Sequence, residues 1–392
     1  LAEKKTFKLQ DKENLLLDKV RKLKEASGTH SPSISYLLQE LKDTKLEVDA
    51  CFLSNPYATD LFLEYFDKDV IFPKSYRSML EYYPAQNRQI AEYISCYLSF
   101  PKEKIFIGNG AIEIIHAIAN NFFGDTVVIN TPTFSAYYEF CKTPPVFHKL
   151  EKKNDYQLNV KEYVEFCLVN KVDTAVIINP NNPDGGYVGR DDMEDIIKSL
   201  SHLECIVIDE SFVHFAKDGD GSRIPTLQSF VHEYSNVIIV KSMSKDFGVA
   251  GLRAGYALMS SEKVNLLLDK GYLWNSSGIA EYFFSLLAKP KFIESYEKIR
   301  RSFNEDIKQF GEELAKMKSY KIYPSQANYF LVELVSGIKS DEFSIALLSR
   351  YGIYIRSCSD KVGLQGEYIR VAVRSNRENK LILNALKELS GD

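Results

Sequence analysis

Five short apolar runs, at residues 104–107, 126–129, 174–178, 205–208 and 237–240, recur between helix-length stretches. Most are rich in β-branched residues and run without polar interruption. A strand with one wet face alternates apolar and polar residues, whereas a strand buried on both faces reads as a continuous apolar run. Strands separated by helices pair in parallel, so the pattern predicts an α/β fold with a mostly parallel sheet flanked by helices. Sheets of this kind bind ligands in the crevice beyond the carboxyl ends of their strands. Each run here leads directly into a segment carrying glycine, asparagine, proline, serine or an acid. The topology therefore gathers those segments at one edge.

The pattern holds from about residue 75 to 285, which is read as the large domain. Beyond it comes a charged helical stretch (294–317), then short strands near 321–324, 328–332, 353–356 and 368–373, and a terminal helix. This suits a smaller α+β domain covering 286–392. Residues 1–30 contain a Lys/Glu-rich stretch with Leu16, Val20 and Leu23 at helical spacing. Two readings stand: a helical linker left where a module is joined to a longer polypeptide, or an arm lying on a partner subunit.

Composition narrows the function. A formal net charge of -4 gives no footprint for nucleic acid or an acidic membrane surface. No apolar run approaches the roughly 18 residues that span a bilayer. The six cysteines are dispersed without CxxC spacing and the six histidines are scattered. We expect reduced thiols, a cytoplasmic location and no metal site.

Lys245 lies in Ser242-Met243-Ser244-Lys245-Asp246-Phe247-Gly248, with Arg253 eight residues on. A lysine amine in a partly buried, cationic setting has its charged form disfavoured and can form a Schiff base with an aldehyde. The neighbouring hydroxyls and arginine suit a phosphate. An aldehyde that also carries a phosphate is pyridoxal 5'-phosphate, PLP. Alone, a lysine in a serine-rich loop is more often simply solvated.

Four further segments change that reading: Gly108-Asn109-Gly110-Ala111-Ile112-Glu113, Thr131-Pro132-Thr133-Phe134-Ser135-Ala136-Tyr137, Asn179-Pro180-Asn181-Asn182-Pro183-Asp184-Gly185 and Ile208-Asp209-Glu210-Ser211-Phe212. In this order and spacing, over about residues 50 to 390, the chain resembles the fold-type I PLP-dependent aminotransferases of class I/II. The resemblance implies PLP as cofactor, a large PLP-binding domain, and a small domain completed by residues 31–74.

The resemblance also implies roles. The main chain of Ala111 and Ile112, at a helix N-terminus, would hold the cofactor phosphate, as helix N-termini do for anions generally. Ser242, Ser244 and Arg253 would be further phosphate ligands. Tyr83 would reach the phosphate from a neighbouring subunit. Phe134 would stack on the pyridine ring, the alternative being a core phenylalanine. Asn182 would bond the ring 3-oxygen. Asp209 would pair with the ring nitrogen and keep it protonated, so that the ring accepts electrons from the substrate α-carbon. Lys245 would hold the cofactor and move protons.

Three residues are matched to substrate. Arg356 and Arg370 correspond to small-domain arginines that bind acid groups, and a second arginine suits a substrate carrying phosphate or phosphonate. Tyr57, in Asn55-Pro56-Tyr57, corresponds to an N-terminal substrate loop, though Pro with an aromatic is otherwise an ordinary turn. Arg374 falls on the strand face of Arg370, with a solvated arginine as the alternative. One departure stands out. Many relatives place a tyrosine three residues after the aspartate; here it is Phe212, which we associate with the threonine-phosphate decarboxylase branch.

The reading is then an aminotransferase moving an amino group between a small phosphate- or phosphonate-bearing amine, with 2-aminoethylphosphonate the expected donor, and an oxo-acid acceptor. The resemblance implies a homodimer, and fusion to a nucleotidyltransferase domain would account for a module-like start. Threonine-phosphate decarboxylation and histidinol-phosphate transamination are the alternatives. A non-catalytic PLP-fold regulator is a different class, opposed by the presence of both Lys245 and Asp209.

Overall fold

The computed structural model describes residues 8–26, 31–42, 44–219, 221, 223–335 and 337–391. The chain divides into two compact units, one formed by Ser54–Glu305 and the other by Leu1–Leu53 with Asp306–Asp392. Strands are numbered β1 to β12 in chain order.

The unit Ser54–Glu305 is built on a seven-stranded sheet of β2 (Ile105–Asn109), β3 (Val127–Thr131), β4 (Val146–Lys149), β5 (Thr174–Ile178), β6 (Cys205–Asp209), β7 (Val237–Ser242) and β8 (Ala254–Leu258). Their spatial order is β2-β8-β7-β6-β5-β3-β4. Every pairing is parallel except those of β8, which runs against both β7 and β2. The α/β architecture is the one the apolar runs predicted.

The continuous runs are explained by burial on both faces. Successive residues of one strand enter opposite layers of core: Ile206 and Ile208 join one cluster, Cys205 and Val207 the other. The register sets Asp209 beside both Ile178 and Val240, and Ser242 beside Gly255. The carboxyl ends of β5, β6 and β7 thus share one edge, which also carries the start of β8 just after Arg253.

The boundaries differ from those expected at 74/75 and 285/286. Residues 54–74 fold with the larger unit, because Ala58, Leu61 and Phe62 of α1 (Pro56–Phe66) enter its main core. So do Phe292 and Tyr296 of α2 (Pro290–Leu314).

The other unit carries a five-stranded sheet in the order β1-β11-β12-β10-β9, from β1 (Val48–Ala50), β9 (Tyr320–Ile322), β10 (Tyr329–Leu334), β11 (Ile353–Ser357) and β12 (Tyr368–Ala372). All its pairings are antiparallel except β1 with β11. Helix Asp11–Ala26 belongs to this unit. It buries Leu17, Val20 and Leu23 with Ile345, Leu348 and Tyr354, and Glu13 makes a two-point ion pair with Arg350 (2.7 and 2.8 Å). The stretch expected to be a linker or partner-bound arm is therefore part of this unit's core, at least over Asp11–Ala26. Residues 27–30 and 1–7 of the expected arm lie outside the described residues.

No described helix is long and apolar enough to cross a membrane. Among the described residues no group of three His, Cys, Asp or Glu is placed to hold a metal, and all six cysteines are free.

Candidate active site

Asp209 ends β6 with its side chain buried, only 3% exposed. A carboxylate there needs compensation, since burying an ionised group without partners is costly. Tyr137 Oη donates to Asp209 Oδ2 at 2.9 Å and Ser211 N donates to Oδ1 at 2.8 Å. Burial pushes the Asp209 carboxyl above its ordinary range. The Ser211 and Tyr137 hydrogen bonds and the charge of Lys241 pull the other way. The Tyr137 phenol is raised well above the usual tyrosine range by its own burial and by the neighbouring carboxylate, so it stays a donor.

The turn after β2 makes a second feature. Gly110 sits at φ +78 and is the N-cap of helix Ala111–Phe122. A Cβ at Gly110 would lie 2.8 Å from Arg253 Cζ, so the Arg253 guanidinium rests against the bare backbone of the turn. Glu113 Oε2 accepts from Asn109 N (2.6 Å) and Asn275 Nδ2 (2.7 Å), which fixes the first helical turn. Ala111 and Ile112, half-buried, begin that helix. A cationic fork beside a helix N-terminus is a cradle for a phosphate.

The third feature is the Lys245 loop. Ser242 ends β7, and its Oγ accepts from Ser244 N at 3.3 Å; both serines are buried and Lys245 is half-buried. Three bonds hold this loop from the segment before α1 and from the first turn of α1. Asn55 N donates to Lys245 O (2.8 Å), Ser54 Oγ to Ser244 O (3.2 Å), and Thr59 Oγ1 to Gly248 O (2.8 Å). Ser211 joins the loop to the acid, because its Oγ accepts from Ser242 N at 3.3 Å while its own N–H serves Asp209.

The loops after β3 and β5 are also joined. Thr133 Oγ1 donates to Asn181 Oδ1 (2.6 Å), and Asn181 Nδ2 donates to Pro132 O (2.9 Å) and bonds Asp184. Phe134 stands half-buried against the core beside the first loop, and Asn182 is buried in the second. Burial raises the Asp184 carboxyl to about 7, against the pull of Gly186 N and its other bonds.

Two further expected residues belong to this unit. Tyr83 is 91% exposed, with its ring 6.2 Å from that of Trp274. Tyr57 opens α1 under the Asn55 cap and meets Phe303 edge-on at 5.9 Å. In the other unit, Arg356 of β11 and Arg370 of β12 are direct cross-strand partners, and both are buried. Arg356 Nη2 bonds Asp360 Oδ2 (2.6 Å) and Arg370 Nη2 donates to Cys51 O (2.8 Å). Arg374 is paired with Glu378 instead, at 3.8 Å.

Several working residues escaped the sequence reading. Tyr137 lay inside a quoted segment but is one of 24 tyrosines. Ser211 acts largely through its main chain, and Ser54, Asn55 and Thr59 act from far away in sequence. No pattern marks them.

The residues fit PLP on three counts: a buried acid with its own donors, a bare glycine turn facing a guanidinium, and a lysine on the loop joined to both. The architecture and this set define a PLP-dependent enzyme of fold type I. Residues 76–389 match the family of class I and II aminotransferases, and the chain belongs to that family. Its cofactor is PLP. The chain is 45% identical to the L-serine phosphate decarboxylase of Campylobacter jejuni, over 97% of this chain and 98% of that one. It is 41% identical to the L-serine phosphate decarboxylase of Sulfurospirillum multivorans, over 94% and 95%. A solved decarboxylase structure from Sulfurospirillum multivorans superposes with a TM-score of 0.92 at 40% identity, covering 96% of this chain and 97% of that one.

Proposed function

We propose that this chain is a PLP-dependent decarboxylase of a small phosphorylated amino acid, with L-serine phosphate as its substrate. The observation that carries the reading is the near-full-length similarity to two decarboxylases acting on that compound. The transamination of 2-aminoethylphosphonate expected from the sequence finds no support in those relatives, and neither does fusion to a nucleotidyltransferase. Phe212, the departure from the commoner tyrosine, pointed to the decarboxylase branch.

Arg356 and Arg370 support the substrate class. Two guanidinium groups directly opposite each other on one strand pair repel; Asp360 offsets part of that repulsion at Arg356, and an acid group shared by the two would offset more. Both are planar forks that bind phosphate or carboxylate at two points. We assign them to the acid groups of the substrate, with Tyr57 in the substrate loop.

When bound, PLP supplies an electron sink for the pair released at the α-carbon. The chain does the rest. Asp209, whose ionised form Ser211 and Tyr137 favour against burial, would keep the ring nitrogen protonated. The Gly110 turn, Ala111, Ile112, Ser242, Ser244 and Arg253 would hold the phosphate, Phe134 would cover the ring face, and Asn182 would bond the 3-oxygen. The bond from the α-carbon to the carboxylate breaks and carbon dioxide leaves. Lys245 Nζ delivers a proton to the α-carbon. The balance is L-serine phosphate plus one proton giving ethanolamine phosphate and carbon dioxide.

The test is product analysis on PLP-loaded protein with L-serine phosphate, threonine phosphate, histidinol phosphate and 2-aminoethylphosphonate. Carbon dioxide with ethanolamine phosphate carrying one solvent deuterium at the former α-carbon is the expected result. Oxo product with pyridoxamine phosphate would overturn it in favour of a transaminase, and turnover of none would favour the regulator. We further infer a homodimer, the common state in this family, with the exposed Tyr83 serving a second copy. Light scattering showing a monomer would exclude it. A reducing, cytoplasmic setting suits the six free cysteines.

A further inference from the structure

Beside the Lys245 loop lies a buried charge cluster that none of the roles above uses. Lys241 is 1% exposed, and its Nζ stands 2.7 Å from Asp246 Oδ2. The same ammonium lies 3.4 Å from Ser211 O, to which it donates. At the same carboxylate oxygen, His214 Nδ1 is 2.8 Å from Asp246 Oδ2, and it is 2.6 Å from Tyr296 Oη. The Tyr296 ring stacks on Phe247 at 4.0 Å, and Arg300 Nη1 donates to His214 O at 3.3 Å.

A buried ion pair adds little net stability against an apolar pair of the same volume. What this pair does add is geometry. Asp246 directly follows Lys245 in the chain. Ser211 donates its N–H to Asp209, accepts from Ser242 N with its Oγ, and accepts from Lys241 with its carbonyl. One ammonium therefore touches the anchor of the lysine loop on one side and the residue that orients Asp209 on the other.

We propose that Lys241 is a positioning residue: anchored on Asp246, it fixes Ser211 and through it holds the Asp209 carboxylate, ionised, toward the cofactor ring nitrogen. This rests on the reading that Asp209 faces that nitrogen. Lys241 also acts on Asp209 through space, since its positive charge favours the carboxylate form. Burial would raise the Asp246 carboxyl, but Lys241 and then His214 overcome it and hold Asp246 ionised. Burial lowers the His214 pKa, against the opposing pull of Asp246.

Removing Lys241 alone would strand a buried carboxylate, so the first variant is Lys241→Met with Asp246→Asn, which removes both charges together. Lys241→Gln with Asp246→Asn, which keeps polar partners without either charge, is the second, in case the first double variant does not fold; circular dichroism of the apo-proteins decides. The measurement is the affinity of apo-protein for PLP and for its 1-deaza analogue, which carries carbon in place of the ring nitrogen. Tryptophan fluorescence reports both. PLP affinity should fall by about tenfold, as losing a nearby cation moves a carboxylate pKa by about a unit. Affinity for the analogue should hardly change. Equal losses for both compounds, or no loss for either, would overturn the proposal. Asp209→Asn is the control: if it too fails to separate PLP from the analogue, the reading of Asp209 is wrong. If it separates them and the Lys241 variants do not, Lys241 has no positioning role.

Discussion

Tyr137→Phe removes one hydroxyl and almost no volume, so its effect isolates the bond to Asp209. That bond is 2.9 Å long, inside the core, and joins a donor to a charged acceptor. Hydrogen bonds to charged groups contribute about 1.5–3 kcal/mol net, which corresponds to about one to two pKa units on the carboxylate. Burial already raises Asp209, and Tyr137 is one of the groups that restrain it. The variant should raise it further. For a carboxylate raised by folding, the ionised form is the disfavoured one. Stability is then undiminished below the unfolded carboxylate pKa and is lost as pH rises through the folded value. The difference between wild type and variant should therefore be largest at neutral pH and shrink on acidification. At about pH 7.5 a loss of about 2 kcal/mol lowers the apo-protein Tm by roughly 4–8 °C, for a cooperative unit of this size. Calorimetry of both apo-proteins between about pH 4 and 8 reads it. An unchanged Tm at neutral pH, or a drop just as large at the acid end, would refute the claim that the hydroxyl supports an ionised Asp209.

Gly110→Ala should strain a backbone at φ +78 and push a methyl against the Arg253 guanidinium. We expect PLP to bind about tenfold more weakly while pyridoxal, which lacks the phosphate, binds as before, because the damage is confined to the anion cradle. Equal weakening of both would place the phosphate elsewhere. Lys245→Ala should abolish turnover and the borohydride-reducible Schiff-base link to the cofactor; substantial residual turnover at neutral pH would remove Lys245 from the chemistry. Glu13→Gln should cost about 1–2 kcal/mol, since it breaks a two-point pair with Arg350 around a buried carboxylate. Arg350 holds Glu13 below its usual pKa, so the pair's contribution is full above the ordinary carboxylate range and fades as pH falls through the folded value. A thermal melt showing the same loss at pH 3 as at pH 7 would contradict it.

The central sheet was legible because burial on both faces leaves a plain mark, an apolar run without alternation. The loops at its edge were legible because each needs unusual residues: Gly110 for its backbone, Asp209 for a charge at a strand end. The limits of the two units were not. Ala58, Leu61 and Phe62 form an apolar helical face that any core would accept, and only the three-dimensional fold says which core does. The same holds for Leu17, Val20 and Leu23, whose spacing announces a helix without naming its neighbour. The bonds that orient Asp209 and Lys245 were hidden for another reason. They come from main-chain atoms of Ser211 and Asn55, and the Asp246 beside Lys245 is met by His214 and Lys241, 27 positions apart in the chain.

The choice between decarboxylation and transamination follows a similar division. In the roles proposed for them, Asp209, Tyr137, Ser211 and the phosphate cradle would stabilise negative charge arriving at the cofactor ring, whichever bond of the α-carbon supplied it. They serve both reactions equally, which is why the residues of the larger unit identified a family and left the reaction open. The bond that breaks is the one held perpendicular to the ring, and that depends on how the acid groups of the substrate are gripped. Arg356 and Arg370, paired across β11 and β12, are the residues we assign to that grip. Replacing either by glutamine should therefore change which product forms as well as how tightly substrate binds. A variant that lost affinity for L-serine phosphate yet kept the wild-type partition between carbon dioxide and oxo product would show that the arginines bind without orienting.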